Sequence, residues 1–229
     1  MGEGWGRAVR AWRGAVAAAL LAALPVAAGA AGPAEHHAVV LNGDLVGSAF
    51  LIEEGVAVTN RHVVRGLGKG GAVTLLGPGD GRTEGWLIAV SPRMDLALLA
   101  VPTGFLPAVV AVNAAVVAGM AVMATGIDAG EGGSGARETI AGVVLDPRTD
   151  LAAFGPGLVA WLPGARPGFS GGALLDRQGR LVGMVTALRP AGGRLAAAAG
   201  GGGRAEVEAF ALRADALRAE VRRLRAGGG

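Results

Sequence analysis

The chain has four serines, Ser48, Ser91, Ser134 and Ser170, and one of them stands where chemistry could use it. Ser170 lies in Gly168-Phe169-Ser170-Gly171-Gly172. Flanking glycines let the backbone turn sharply, so that the Gly168 and Ser170 amides can point at one developing oxyanion. A serine hydroxyl is a poor nucleophile near neutral pH and needs an imidazole to take its proton. The imidazole in turn needs a carboxylate to fix its tautomer and balance the charge that forms. Upstream, His62 lies in Val58-Thr59-Asn60-Arg61-His62-Val63-Val64, just past an apolar run. Asp95 opens Asp95-Leu96-Ala97-Leu98-Leu99-Ala100-Val101, a carboxylate placed directly before an apolar strand. Singly, these are a glycine-rich turn, a loop histidine and a strand terminator. Together, in the order His62, Asp95, Ser170, they are the base, orienting acid and nucleophile of an acyl transfer.

The same five residues around Ser170 also satisfy the G-x-S-x-G elbow of α/β-hydrolases, in which the base follows the serine. No histidine follows Ser170, so chain order excludes that fold with a histidine base. The absence of cysteine removes disulfide scaffolds, thiolate metal sites, iron–sulfur clusters and thiol nucleophiles. Three histidines leave little for a metal centre, and neither metal nor cofactor is expected. Adjacent His36 and His37 would point apart on a strand and lack further ligands. Trp86 and Trp161 are expected as core or pocket-wall residues. The glycine run at 200–203 is followed by no Lys-Ser/Thr and so is no phosphate loop.

These residues must be held by short strands. Apolar runs fall at 37–41, 48–52, 56–59, 72–76, 85–90 and 96–101, with a polar Glu53-Glu54-Gly55 turn joining two of them as a hairpin. A second series falls at 120–125, 138–144, 158–162, 173–175, 181–186 and 208–212. Between them, residues 104–117 read as an interdomain crossing plus a strand. Short strands at close spacing, with no long amphipathic helices between them, predict an all-β fold of two antiparallel barrels. The barrels are expected at 38–110 and 111–213, with a helix and tail at 214–229. In that helix Leu217, Val221 and Leu224 recur at helical spacing, Asp215 sits in the first turn, and Arg222, Arg223 and Arg225 sit in the last. The Gly/Ala-rich stretch 191–203 reads as a surface loop.

The formal net charge of +3 invites a nucleic-acid reading until it is located. Arg7, Arg10 and Arg13 precede the uncharged Gly14 to Leu24, followed by the A-x-A site Ala28-Gly29-Ala30. A basic region, a core of about 11 apolar residues and a small-residue cleavage site describe a secretory signal peptide over 1–30. That core is short for a membrane span of about 20 residues. Without it the charge is near neutral, and no nucleic-acid partner is expected.

The quoted motifs resemble the chymotrypsin-like serine peptidases, and within them the bacterial HtrA (Deg) branch. SAFLIEEGVAVTNRHVV from Ser48 resembles its hairpin ending in T-N-x-H-V-V. The stretch from Met94 to Val101 resembles its D-L-A-hydrophobic strand, and GFSGGALLDRQGRLVGMV from Gly168 its G-N-S-G-G-A-L run. The closing strand and helix resemble its C-terminal end, so the likeness covers residues 38–226. It implies a cleft between two barrels, with His62 as general base, Asp95 as orienting carboxylate, Ser170 as nucleophile, and the Gly168 and Ser170 amides as oxyanion hole. Three departures stand out. Phe169 replaces the usual Asn or Asp before the serine, so a trypsin-type zymogen switch is not expected. No PDZ domain is expected after Gly229. With residues 1–30 removed as a signal, the mature N-terminus before His36 would be very short, which weakens any carry-over of HtrA-type trimerisation and leaves the oligomeric state open.

By the same likeness, residues 164–167 should floor the P1 pocket and 185–188 should wall it. Gly164 stands where trypsin-like enzymes have an acid, and Leu188 stands where larger pockets have glycine. The expected preference is for small or medium aliphatic P1 residues, with substrate backbone added as a strand along Thr186, Ala187 and Leu188. The expected partner is a polypeptide substrate, and the expected location periplasmic or secreted. Two rivals remain: a catalytically silent peptide-binding module on the same fold, and a membrane-attached protease whose signal segment stays uncleaved.

Overall fold

Short apolar strands, alternating with polar residues where one face meets solvent, form the staves of two barrels. The computed structural model describes residues 32–79, 81–110, 115–128, 135–151, 153–190 and 207–227. The first barrel contains β1 (Ala38–Asn42), β2 (Leu45–Glu53), β3 (Val56–Thr59), β4 (Ala72–Leu76), β5 (Arg82–Val90) and β6 (Ala97–Ala100). The second contains β7 (Ala121–Ile127), β8 (Arg137–Leu151), β9 (Gly155–Trp161), β10 (Ala173–Leu175), β11 (Leu181–Pro190) and β12 (Val207–Arg213). Every pairing is antiparallel, and both barrels are closed. The spatial order is β1-β2-β3-β6-β5-β4 in one and β10-β11-β12-β9-β8-β7 in the other. Numbered from each barrel's own first strand, the two orders are the same cyclic arrangement. The expected all-β, two-barrel architecture with a terminal helix is the observed one.

Three apolar clusters hold it together. One fills the first barrel around Val40, Leu51, Leu75 and Leu99, and one fills the second around Ile140, Leu158, Phe169 and Leu174. The third lies between them and joins Phe50, Val58, Leu96 and Leu98 of the first to Leu175, Leu181, Met184 and Leu212 of the second. Strands β2, β3, β6, β10 and β11 are therefore buried on both faces, which explains their nearly continuous apolar sequences. Helix α1 (Ala214–Arg225) lays Leu217, Val221 and Leu224 on this shared core. Each such side chain contributes about 1.5–3 kcal/mol when fully buried. The helix also reaches the loop before β6. Glu220 Oε1 accepts from Ser91 Oγ at 2.6 Å, and Arg223 binds the same carboxylate through two nitrogens. Ser91 Oγ in turn accepts from the Arg93 and Met94 amides, one residue short of Asp95.

Several expectations need correction. No strand forms in the described parts of 104–117; the crossing runs irregularly, tied by Val109 N–H to Leu51 O and by Leu181 N–H to Val110 O. Trp86 is 40% exposed and is not a core residue, because Gly85 and Leu87 take the inward positions on β5. Trp161 is half-buried on β9. The first strand starts at Ala38, since His36 ends a 3-10 turn (Pro33–His36) and His37 caps it. Strand β8 runs on to Leu151, past Asp146 and Pro147, by absorbing two register shifts against β9. The candidate signal segment 1–30 and the loop 191–203 lie outside the described residues.

Candidate active site

His62 follows β3 directly. Past Thr59 the chain leaves the barrel wall and coils through short-range bonds: Val63 N–H to Asn60 O, Val64 N–H to Arg61 O and Arg65 N–H to His62 O. Val63 and Val64 are buried and anchor this coil, which leaves the imidazole half-buried at its edge. Asp95, 3% exposed, ends the loop before β6. Its Oδ1 accepts the His62 backbone N–H at 3.0 Å, and its Oδ2 accepts from His62 Nδ1 at 2.6 Å. A carboxylate only accepts, so Nδ1 carries the proton and Nε2 presents its lone pair. No described residue bonds Nε2.

Asn60 joins this pair to the second barrel. Its Nδ2 donates to Asp95 O at 2.8 Å and to Thr186 Oγ1 at 3.2 Å, across the space between the barrels. The sequence contained Asn60 inside the quoted T-N-x-H motif, but nothing local marked it as a bridge.

Ser170 lies on the loop between β9 and β10, whose peptide groups can be accounted for one by one. Gly168 C=O accepts from Ser48 Oγ at 2.6 Å, and the Phe169 N–H of that same peptide donates to Arg166 O. Phe169 C=O accepts from Gly172 N–H, and Ser170 C=O accepts from Ser48 N–H at 2.8 Å. Gly171 N–H donates to Val185 O. Among the described residues, no acceptor meets the N–H of Gly168 or of Ser170. The loop thus spends the carbonyls of Gly168, Phe169 and Ser170 and the amides of Phe169, Gly171 and Gly172 inward and leaves these two donors unpaired. Glycine is required here sterically. Gly168 has φ +106° and a Cβ would stand 2.2 Å from Ile127 O; at Gly171, φ +89°, it would stand 2.0 Å from Ser48 O.

Ser170 Oγ is half-buried and donates to Thr186 O at 3.4 Å, near the limit for a hydrogen bond. No hydrogen bond joins it to His62 in this state. Such contacts are commonly long in free enzymes and tighten when substrate binds. Thr186, Ala187 and Leu188 continue β11 beyond its pairing with β10, which ends at Met184. Ala187 and Leu188 pair with β12 on one side only, with Thr186 at a bulge before them, so the other edge is open to an added strand. Thr186 is buried, Ala187 is half-buried, and Leu188 packs partly against the second barrel's interior. Gly164, half-buried with φ +88°, accepts from Arg166 Nη1. Arg166 is an addition that the sequence did not single out. It pairs with Asp128 and Glu138 and stands 6.0 Å over the Phe169 ring. A cleft of about 600 Å³ flanks the imidazole, lined by Arg61, His62, Arg65, Val90, Asp95 and Phe154 among others.

Neither His36 nor His37 is poised for metal. His36 Nδ1 bonds Pro107 O, and His37 is buried behind the Ser170 loop between Ser48 and Arg137. Burial, with the Arg137 charge beside it, pulls the His37 pKa from 6.5 down to about 3. Between those values the unfolded chain binds a proton that the native state refuses, so stability falls as pH falls through the window and levels off below it. The slope is about 1.4 kcal/mol per pH unit. In urea denaturation between pH 6 and 4 the stability of the wild type should fall more steeply than that of His37→Gln, by about this slope. Equal slopes would refute it.

Two closed antiparallel barrels, with a His–Asp pair on the first and a Gly-x-Ser-Gly-Gly loop on the second, define the chymotrypsin-like class of peptidase folds. Residues 47–184 match the trypsin-like peptidase domain, and the chain belongs to that family. Solved structures of HtrA-type and related proteases share its fold. Rv3671c from M. tuberculosis H37Rv, in an inactive form, is 23% identical with a TM-score of 0.67, over 90% of this chain and 93% of that one. The HtrA-type protease AlgW with a tripeptide is 24% identical with a TM-score of 0.67, over 85% of this chain and 62% of that one. The serine endoprotease from Yersinia pestis is 21% identical with a TM-score of 0.60, over 82% and 62%. No curated protein matches the sequence.

Proposed function

We propose that the chain is an exported serine endopeptidase that hydrolyses polypeptides through an acyl-enzyme. The observation that carries this reading is the His62–Asp95 pair at 2.6 Å, which fixes the imidazole with Nε2 free. The Ser170 hydroxyl, released from its long contact to Thr186 O, gives its proton to His62 Nε2 and attacks the substrate carbonyl. The oxygen that gains charge is met by the Gly168 and Ser170 N–H groups, while Asp95 stabilises the imidazolium. His62 then protonates the leaving amine, and water repeats the sequence to free the acyl group. No cofactor enters this scheme.

Substrate backbone pairs with the open edge at Thr186, Ala187 and Leu188. A polypeptide ligand agrees with AlgW, a structural neighbour solved with a tripeptide and with a decapeptide. With Gly164 on the pocket floor and Leu188 at its mouth, Ala, Val or Leu is preferred at P1. A peptide library should be cut mainly after these residues; cleavage mainly after Lys, Arg or Phe would sink the assignment. Export rests on the three-part pattern of residues 1–30, and the location that follows is periplasmic or secreted.

A fluorophosphonate probe tests the central claim. It should label Ser170 in the wild type and nothing in Ser170→Ala. A folded wild type that resists the probe would instead leave a peptide-binding module on the same fold. The mass of the mature N-terminus distinguishes export with cleavage from a retained anchor.

A further inference from the structure

Behind the Ser170 loop runs a buried line of polar groups that the mechanism above does not use. Arg137 Nε donates to His37 Nδ1 at 2.8 Å, His37 Nε2 meets Ser48 Oγ at 2.7 Å, and Ser48 Oγ meets Gly168 O at 2.6 Å. Its polarity is dictated from one end. A guanidinium has no acceptor, so His37 Nδ1 must accept, and the imidazole proton must sit on Nε2. Nε2–H then donates to Ser48 Oγ, which commits the single serine proton to the Gly168 carbonyl. Arg137 is itself fixed by bonds from Nη2 to Leu76 O and Gly77 O, at the end of a strand in the other barrel. His37 is 2% exposed and Ser48 0%, so no solvent competes for these groups. The backbone of Ser48 adds a second grip, its N–H on Ser170 O.

The consequence lies in which peptides are held. The groups just inside the two free donors, Gly168 C=O and Ser170 C=O, are both taken by Ser48. The peptide between Pro167 and Gly168, whose N–H is one of the free donors, makes no hydrogen bond of its own among the described residues. Its orientation is therefore set by the Gly168 torsions, and the Gly168–Phe169 peptide at the other end of those torsions is held by Ser48 Oγ on its carbonyl at 2.6 Å and by Arg166 O on its N–H at 3.2 Å. Losing the shorter Ser48 bond would leave the Phe169 N–H contact as that peptide's one tether and loosen a glycine, the residue with the widest torsional range, at the point where an amide must be aimed within tenths of an ångström.

We infer that Arg137, His37 and Ser48 form a positioning relay that aims the Gly168 amide at the substrate oxyanion, with His37 acting as a neutral Nε2–H donor. This rests on the peptidase reading above. It gives the two buried residues a role in the reaction that neither touches.

The test uses the full chain and four variants: His37→Leu, His37→Gln, Ser48→Ala and Arg137→Met. Kinetics are followed on a peptide anilide with valine at P1, and inhibition with the matching peptide boronic acid, whose tetrahedral adduct occupies the oxyanion site. His37→Leu, Ser48→Ala and Arg137→Met should each lower kcat by about 10- to 100-fold, less than outright loss of a donor. KM should stay within about twofold, because substrate pairing along β11 is untouched. The boronate should weaken in step with kcat/KM. His37→Gln keeps one acceptor and one donor on the same side chain and should recover most of the loss. Folded variants with wild-type kcat and boronate affinity would overturn the inference, as would His37→Gln behaving like His37→Leu. Should His37→Leu fail to fold, Ser48→Ala, which removes one oxygen, decides the matter. A wild type that neither cleaves nor takes the fluorophosphonate overturns the peptidase reading too, whereas an active wild type with unaffected variants overturns the relay alone.

Discussion

Substitution of Ser170 by alanine is expected to lower kcat/KM by about 10⁴- to 10⁶-fold, with His62→Ala close behind and the double variant no worse than either alone. The non-additivity is the informative part. In the proposed mechanism Ser170 supplies the nucleophile and His62 the base that activates it, so removing one leaves the other with nothing to act on. What that mechanism leaves is catalysis by the proposed oxyanion donors, the Gly168 and Ser170 amides, and by the proposed substrate strand, neither of which needs the serine oxygen. Binding should therefore persist: the KM of any residual reaction and the affinity for a product peptide should change little. Asp95→Asn should fall in the same range. An amide at that position can favour the wrong imidazole tautomer, and its NH₂ would also oppose the His62 backbone N–H that Oδ1 now accepts. Steady-state kinetics on the P1-valine anilide measure all of these. Losses that simply multiplied in the double variant would mean that the two residues act separately, and the shared proton transfer would have to be abandoned.

The parts of this site that were legible in the sequence are those with a local signature. Strands at 56–59, 72–76 and 173–175 begin and end where their apolar runs do, because a charged or glycine residue flanks each; the first and last are buried on both faces, and 72–76 alternates. His62, Asp95 and Ser170 each sit at a strand end, where a sequence shows polarity breaking an apolar pattern. The longer outer strands were read short. On β8 only one face meets the core, so Asp146 and Pro147 are tolerated at a bulge that no local pattern announces. His37, Ser48 and Arg137 had no local signature either. Their contacts join positions 11, 100 and 120 residues apart, and a lone histidine or a serine in an apolar strand looks the same whether it is a filler or a keystone. Trp86 failed in the other direction: size and hydrophobicity suggested burial, but strand parity put it outside.

Phe169 decides how the nucleophile loop is anchored, and its replacement is expected to cost nearly as much as any core substitution. In the resembled peptidases an acid commonly precedes the serine; here the ring is fully buried in the second barrel's interior, beside Ile140, Leu158, Leu162 and Leu174. Phe169→Ala should cost about 3–5 kcal/mol, against a total of about 5–15 kcal/mol for a typical domain. At this chain length that is a fall of roughly 10 °C in Tm. Phe169→Leu, which refills much of the volume, should lose well under half as much. Phe169→Asp should be the worst of the three: the nearest cation, Arg166, is already held by Asp128 and Glu138, so the new carboxylate would enter an apolar core without a partner. Activity should follow a different order from stability. The amides of Gly168 and Ser170 flank the ring, so Phe169→Ala loosens both and should lower kcat at temperatures where the protein is still fully folded, with KM nearly unchanged. Calorimetry and kinetics on the same three variants separate the two effects. A Phe169→Asp protein as stable as Phe169→Leu would show that Arg166 exchanges partners, and that the loop can be held by charge as well as by packing.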